Sequence, residues 1–224
     1  MHTNPPEERF DRPIGEKNFA ERNRAASADL TIILVHGRGQ SPDDMAVLAD
    51  RLDLSGVRYL FPRADGNTWY PDKFMAPIAN NEPFLSAAIA HYETVVAGVL
   101  AEGVPASRII VGGFSQGACL SAEYLARHPR RFGAAVLWTG GLIGPRGTVW
   151  PLPGVLRGMP AFISTAENDP WVPAERVRET YDWLLQSGAE PDMTIFEERD
   201  HGVLDEEIEA VRNMIERVRL QQVA

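Results

Sequence analysis

The stretch Gly113-Phe114-Ser115-Gln116-Gly117 sets one serine between two glycines. A serine hydroxyl is a weak nucleophile until the backbone presents it and a base takes its proton. The flanking residues supply the presentation. Ile109 to Val111 is a β-branched run that reads as a buried strand, and an apolar pattern of helical period starts after Gly117. So sharp a strand-to-helix turn, the nucleophile elbow, strains the serine backbone, and Gly113 and Gly117 remove side chains that would collide across it. The following helix then points its positive end at the hydroxyl, where a developing oxyanion is favoured. Such a pentapeptide arises by chance in roughly 6% of chains of this kind. The serine therefore needs partners elsewhere.

Acyl transfer by serine requires a histidine base and an acid that orients it, and elbow enzymes carry them in the order Ser, Asp or Glu, His. Two histidines follow Ser115. His128 ends the elbow helix, roughly twenty ångströms away at 1.5 Å rise per residue, so it cannot be the base. His201, in Arg199-Asp200-His201-Gly202, follows the last strand and is expected to be the base. Asp169 lies directly after another strand and is the expected acid, with Glu167 as its near competitor. Asp200 adjoins His201, and sequence neighbours rarely align for a hydrogen bond. The oxyanion hole needs two backbone N–H groups. Gln116, after the nucleophile, offers one. The glycine-rich turn His36-Gly37-Arg38-Gly39 offers the other, assigned to Arg38, while His36 is expected to brace that turn.

These residues must be positioned by strands that end beside one another. Leu30–Val35 is apolar on both faces, as a central parallel strand should be. Further strands are expected at 57–61, 134–138, 160–165 and 193–196. Helices are expected after Ser41 with Pro42 at the first position, from Pro83 to about Ala101, over 173–186 and over 205–220. Alternating strands and helices specify an α/β fold, a mostly parallel central sheet with helices on both faces, and functional groups at the carboxyl ends of its strands. Residues 1–29 are expected to form an irregular arm with at most one weak edge strand, and residues 30–224 the catalytic domain. No insertion is long enough for a separate lid domain.

Length 224 suits one domain. The net charge of −9 argues against a nucleic-acid surface. No apolar run approaches the roughly 18 residues that a membrane span requires, no signal peptide is evident, and the lone Cys119 fits a cytoplasmic chain without disulfides. Cys119 is expected to be buried one turn after Ser115. No metal-ligand cluster or cofactor motif is evident. The expected partner is a small-molecule ester, and homodimer formation is left open.

Leu34-Val-His-Gly-Arg-Gly39, Gly112-Gly-Phe-Ser-Gln-Gly-Ala118, Asp169-Pro-Trp-Val-Pro173 and Asp200-His-Gly202 together resemble the phospholipase/carboxylesterase family of α/β-hydrolases. The resemblance covers about residues 30–220. It implies Ser115, Asp169 and His201 as the triad and Arg38 and Gln116 as oxyanion donors. Thioesterases of that family usually carry an apolar residue where Arg38 stands, which points away from protein depalmitoylation. The similar dienelactone hydrolases use a cysteine where Ser115 stands. Trp69-Tyr-Pro71 and Asn81-Glu-Pro83 look like the bacterial branch. The expected activity is hydrolysis of short to medium acyl or aryl esters, with a thioesterase or lactonase as the alternative and a non-catalytic ligand-binding protein as the remote rival. Trp69, Tyr70 and Phe74 on one loop and Leu142 and Ile143 on another are expected to line the substrate pocket, or else to pack those loops down.

Overall fold

The computed structural model describes residues 19–23 and 28–221. In chain order the elements are β1 (Phe19–Arg22), β2 (Leu30–Val35), α1 (Pro42–Leu52), β3 (Val57–Pro62), α2 (Ile78–Asn81) and α3 (Phe84–Ala101). They continue with β4 (Ile109–Phe114), α4 (Gln116–Arg127), β5 (Ala134–Trp138), β6 (Pro160–Ala166), α5 (Ala174–Gln186), β7 (Glu190–Phe196) and α6 (Asp205–Gln221). The strands form one sheet in the order β1-β3-β2-β4-β5-β6-β7, parallel except for β1, which runs antiparallel to β3. The period of two sorts the core. Ile33 and Val35 of β2 point to the face covered by α3, α4 and α5, whereas Ile32 and Leu34 point to the face covered by α1 and α6. Strand order reverses between β2 and β4, so their carboxyl ends open a crevice suited to a ligand.

The weak edge strand expected in the arm is β1, held by its pairing with β3 and by Arg58 of β3, whose side chain binds Glu21 at 2.7 Å, so the sheet begins at Phe19, ahead of the boundary expected at residue 30. Residues 1–18 and 24–27 of the expected arm lie outside the described residues. Helix α3 is long and apolar enough to cross a membrane by length and composition, contrary to the reading of the sequence. Here its Leu85, Ile89, Tyr92 and Val96 are buried in the core. Strand β7 also starts three residues early, at Glu190, since parallel pairing with β6 continues through residues with no apolar pattern. The segment from Thr139 to Gly158 holds only one short turn of 3-10 helix, as its prolines and glycines require.

Candidate active site

The elbow brings β4 into α4 through Ser115, whose backbone sits at φ 54°, ψ −119°. A non-glycine residue is rarely held there. The flanking glycines are needed for a reason the sequence alone does not reveal. A Cβ at Gly117 would lie 2.0 Å from the Val35 carbonyl oxygen, and one at Gly113 would lie 2.3 Å from the same atom. The collision is chiefly with the neighbouring strand β2, and only Gly113 would also crowd Gly117.

Three strand ends converge on Ser115. Its Oγ lies 2.8 Å from His201 Nε2, and His201 Nδ1 lies 2.8 Å from Asp169 Oδ2. The other carboxylate oxygen, Asp169 Oδ1, accepts the N–H groups of Trp171 at 2.9 Å and Val172 at 2.8 Å. Burial opposes ionisation of Asp169, but the His201 contact and these two N–H donors outweigh it and hold the carboxyl below its ordinary value. An anion facing Nδ1 keeps the proton there and leaves Nε2 free to accept one from the serine. Glu167, the competitor, turns to solvent and pairs with Arg178 at 2.6 Å. His128 is stacked on Tyr124 and lies near Glu93, remote from the elbow. Cys119 is no rival nucleophile, because burial pushes its thiol up to about 12.

In the turn after β2, three N–H groups are taken up. Gly37 N–H donates to Gln40 Oε1, Gly39 N–H to Asn67 O and Gln40 N–H to Gly37 O. Arg38 N–H alone in that turn has no acceptor among the described residues. Gln116 N–H, at the first position of α4, is likewise unengaged, as helix geometry leaves it. His36 braces the turn from beneath. Ala64 N–H donates to its Nε2 at 3.2 Å, so the proton is on Nδ1, which donates to Gly37 O at 2.8 Å. Burial holds this imidazole below its ordinary 6.5.

The five residues expected to line a pocket are all buried. Leu142 and Ile143 are 0% exposed, Tyr70 1%, Trp69 5% and Phe74 8%, and all belong to the larger core cluster. Trp69 donates its indole N–H to His36 O at 2.8 Å and lays its ring 4.9 Å from the imidazole. The aromatic loop is therefore a plug. Two residues latch it: the Gln116 side chain accepts from Trp69 N–H and donates to Tyr70 O, and the Arg38 guanidinium donates to the carbonyls of Tyr70, Pro71 and Asp72. Across the site, buried Arg176 of α5 donates in the same way to the carbonyls of Leu142, Gly144 and Pro145. These latches have no sequence signal, since a main-chain carbonyl accepts from any donor. Phe114, whose ring centroid lies 5.0 Å from that of His201, was also missed, as was Trp171, 67% exposed beside Asp169.

A mostly parallel sheet with a serine elbow at its switch point, and a histidine and an acid after later strands, defines the α/β-hydrolase class. The chain belongs to the phospholipase/carboxylesterase family, whose model matches residues 18–219, and its chemistry is ester hydrolysis. It is similar to a phospholipase/carboxylesterase from Dyadobacter fermentans, at 36% identity and a TM-score of 0.84 over 89% of this chain and 96% of that one. The Bacillus cereus carboxylesterase shares the fold at 21% identity and a TM-score of 0.72, covering 89% of this chain and 93% of that one. Among curated proteins, acyl-protein thioesterase 1 of Schizosaccharomyces pombe is 25% identical over 68% of this chain and 74% of its own length.

Proposed function

We propose that the protein hydrolyses carboxylic esters through an acyl-enzyme on Ser115, with His201 as base and Asp169 as its orienting acid. The observation that carries this reading is the hydrogen-bonded chain from Asp169 through both nitrogens of His201 to Ser115. Ser115 Oγ attacks the ester carbonyl while His201 Nε2 takes its proton. The carbonyl oxygen, now an anion, is held by the free N–H groups of Gln116 and Arg38. As the tetrahedral adduct collapses, His201 returns the proton to the departing alkoxide and the alcohol leaves. Water then attacks the acyl-serine, giving its proton to the same nitrogen, which passes it to Ser115 Oγ as that oxygen departs and the carboxylic acid is released. Asp169 stays ionised throughout and stabilises the imidazolium.

Short to medium acyl or aryl esters fit an approach that no lid domain encloses among the described residues. Trp171 offers the exposed apolar surface beside Asp169 that Trp69 and Tyr70 do not. Thioester hydrolysis by the same groups is the second reading, favoured by the likeness to an acyl-protein thioesterase. Labelling by a fluorophosphonate, with the Ser115→Ala variant as control, tests the nucleophile. Wild type should label and the variant should not, with kcat falling by about 10⁴-fold or more while the fold is retained. Near wild-type turnover by folded Ser115→Ala protein would remove the mechanism. Matched oxygen esters and thioesters over a range of acyl lengths separate the two readings.

A further inference from the structure

His201 sits on a segment that main-chain hydrogen bonds do not hold: among the described residues, none is made by residues 200–203. The segment is closed instead on one carboxylate oxygen. Glu207 Oε2 accepts Arg199 Nη1 at 2.7 Å and Leu204 N–H at 2.7 Å, so both ends of the stretch containing His201 meet at a single atom. The second oxygen, Oε1, accepts Ser164 Oγ of β6 at 2.5 Å. Arg199 spends another donor on Thr139 Oγ1 at 2.6 Å, at the end of β5. The side chains of Arg199 and Glu207 are 1% and 0% exposed.

A buried ion pair is a poor source of net stability, because desolvating both charges offsets most of their attraction. What it does supply is geometry, since each charge tolerates few alternatives once buried. We propose that Glu207 is the positioning residue of the base: its carboxylate clasps Arg199 and Leu204 and thereby fixes where His201 stands between Ser115 and Asp169. This rests on His201 being the base. The clasp joins the carboxyl ends of β5 and β6 to the start of α6, so the imidazole is referenced to the same sheet that carries the serine. A glutamate at the third position of α6 would otherwise need only to cap the helix, which exposed residues do equally well.

The test is Glu207→Gln, which keeps size but cannot accept from Arg199, Leu204 and Ser164 together. Displacing a catalytic group by about an ångström costs on the order of 10²-fold in rate. The variant should lose kcat by that order with KM nearly unchanged, should label with fluorophosphonate correspondingly slowly, and should lose the downfield proton resonance of the His201–Asp169 hydrogen bond. Arg199→Lys, which cannot reach Glu207 and Thr139 at once, should show a smaller loss of the same kind. If Glu207→Gln does not fold, Arg199→Lys and Ser164→Ala are read in the same assays. Wild-type kcat and labelling in the folded variants, with only the melting temperature lowered, would overturn the proposal and leave a structural ion pair. His201→Ala separates the two levels: if it remains active, the base assignment has failed, whatever Glu207→Gln does.

Discussion

Asp169 and Glu167 stand two residues apart, and their surroundings assign them different work. Asp169 is desolvated yet ionised, with one oxygen on His201 and the other on two N–H donors, whereas Glu167 shares a solvent-exposed pair with Arg178. Asp169→Asn should therefore lower kcat by about 10⁴-fold, because an amide no longer favours the tautomer that leaves Nε2 free. Glu167→Gln should change kcat by less than about twofold, as exposed pairs contribute little. Steady-state kinetics of both variants checks the assignment, and the opposite ranking would transfer the role to Glu167. His36 sets a pH limit on the fold. Its folded value lies below 6.5, so in the window between the two values the unfolded chain binds a proton that the folded chain refuses. Stability is intact above 6.5 and falls as pH drops through that window. Thermal melts from pH 8 downward should show the decline, and His36→Gln, less stable at pH 8, should show a shallower one.

At the scale of elements, the site is held by loops that behave as parts of the core. Trp69 is the test. Its ring packs between His36 and His91, and its indole N–H caps the His36 carbonyl. Trp69→Ala should cost about 3–5 kcal/mol of stability, the usual range for emptying a buried large aromatic site. The preference among acyl chain lengths should stay as in wild type at temperatures where the variant is folded. Denaturant melts and the acyl-length panel measure the two effects independently, and a shifted preference with unchanged stability would restore Trp69 to the pocket wall. The sequence could not decide this. An apolar loop residue next to a strand end reads the same whether it faces substrate or the interior, and only burial distinguishes them. The residues proposed for the triad could be picked out for the converse reason: serine, acid and base each follow a strand, and chain order leaves few candidates. The strand at Phe19–Arg22 was faint because an edge strand with one polar side has too short a pattern to stand out.

The molecule as a whole is acidic, with a formal charge of −9, and three of its acids lie on the segment that leads from β7 to His201. Glu197, Glu198 and Asp200 line an open cleft of about 410 Å³ with Asn168 and Arg199, whose charge is already paired. Like-charged substrates meet a repulsive field that salt screens over about 10 Å at 0.1 M. An ester bearing a carboxylate should show kcat/KM rising several-fold from low to physiological salt, while a neutral ester of the same shape stays flat. Equal salt responses would mean that the field does not reach the bound substrate. The arginine latches have a different consequence, for how this enzyme can change. Arg38 and Arg176 hold the two loops that border the site by main-chain carbonyls, atoms that every amino acid supplies. Loop position is thus separated from loop sequence. Exposed residues such as Val149, Leu152 and Val155 can be exchanged without unfastening the backbone that carries them. Mutational libraries confined to such positions should vary the surface on a fixed frame, whereas libraries that include the two arginines should sample mostly displaced loops.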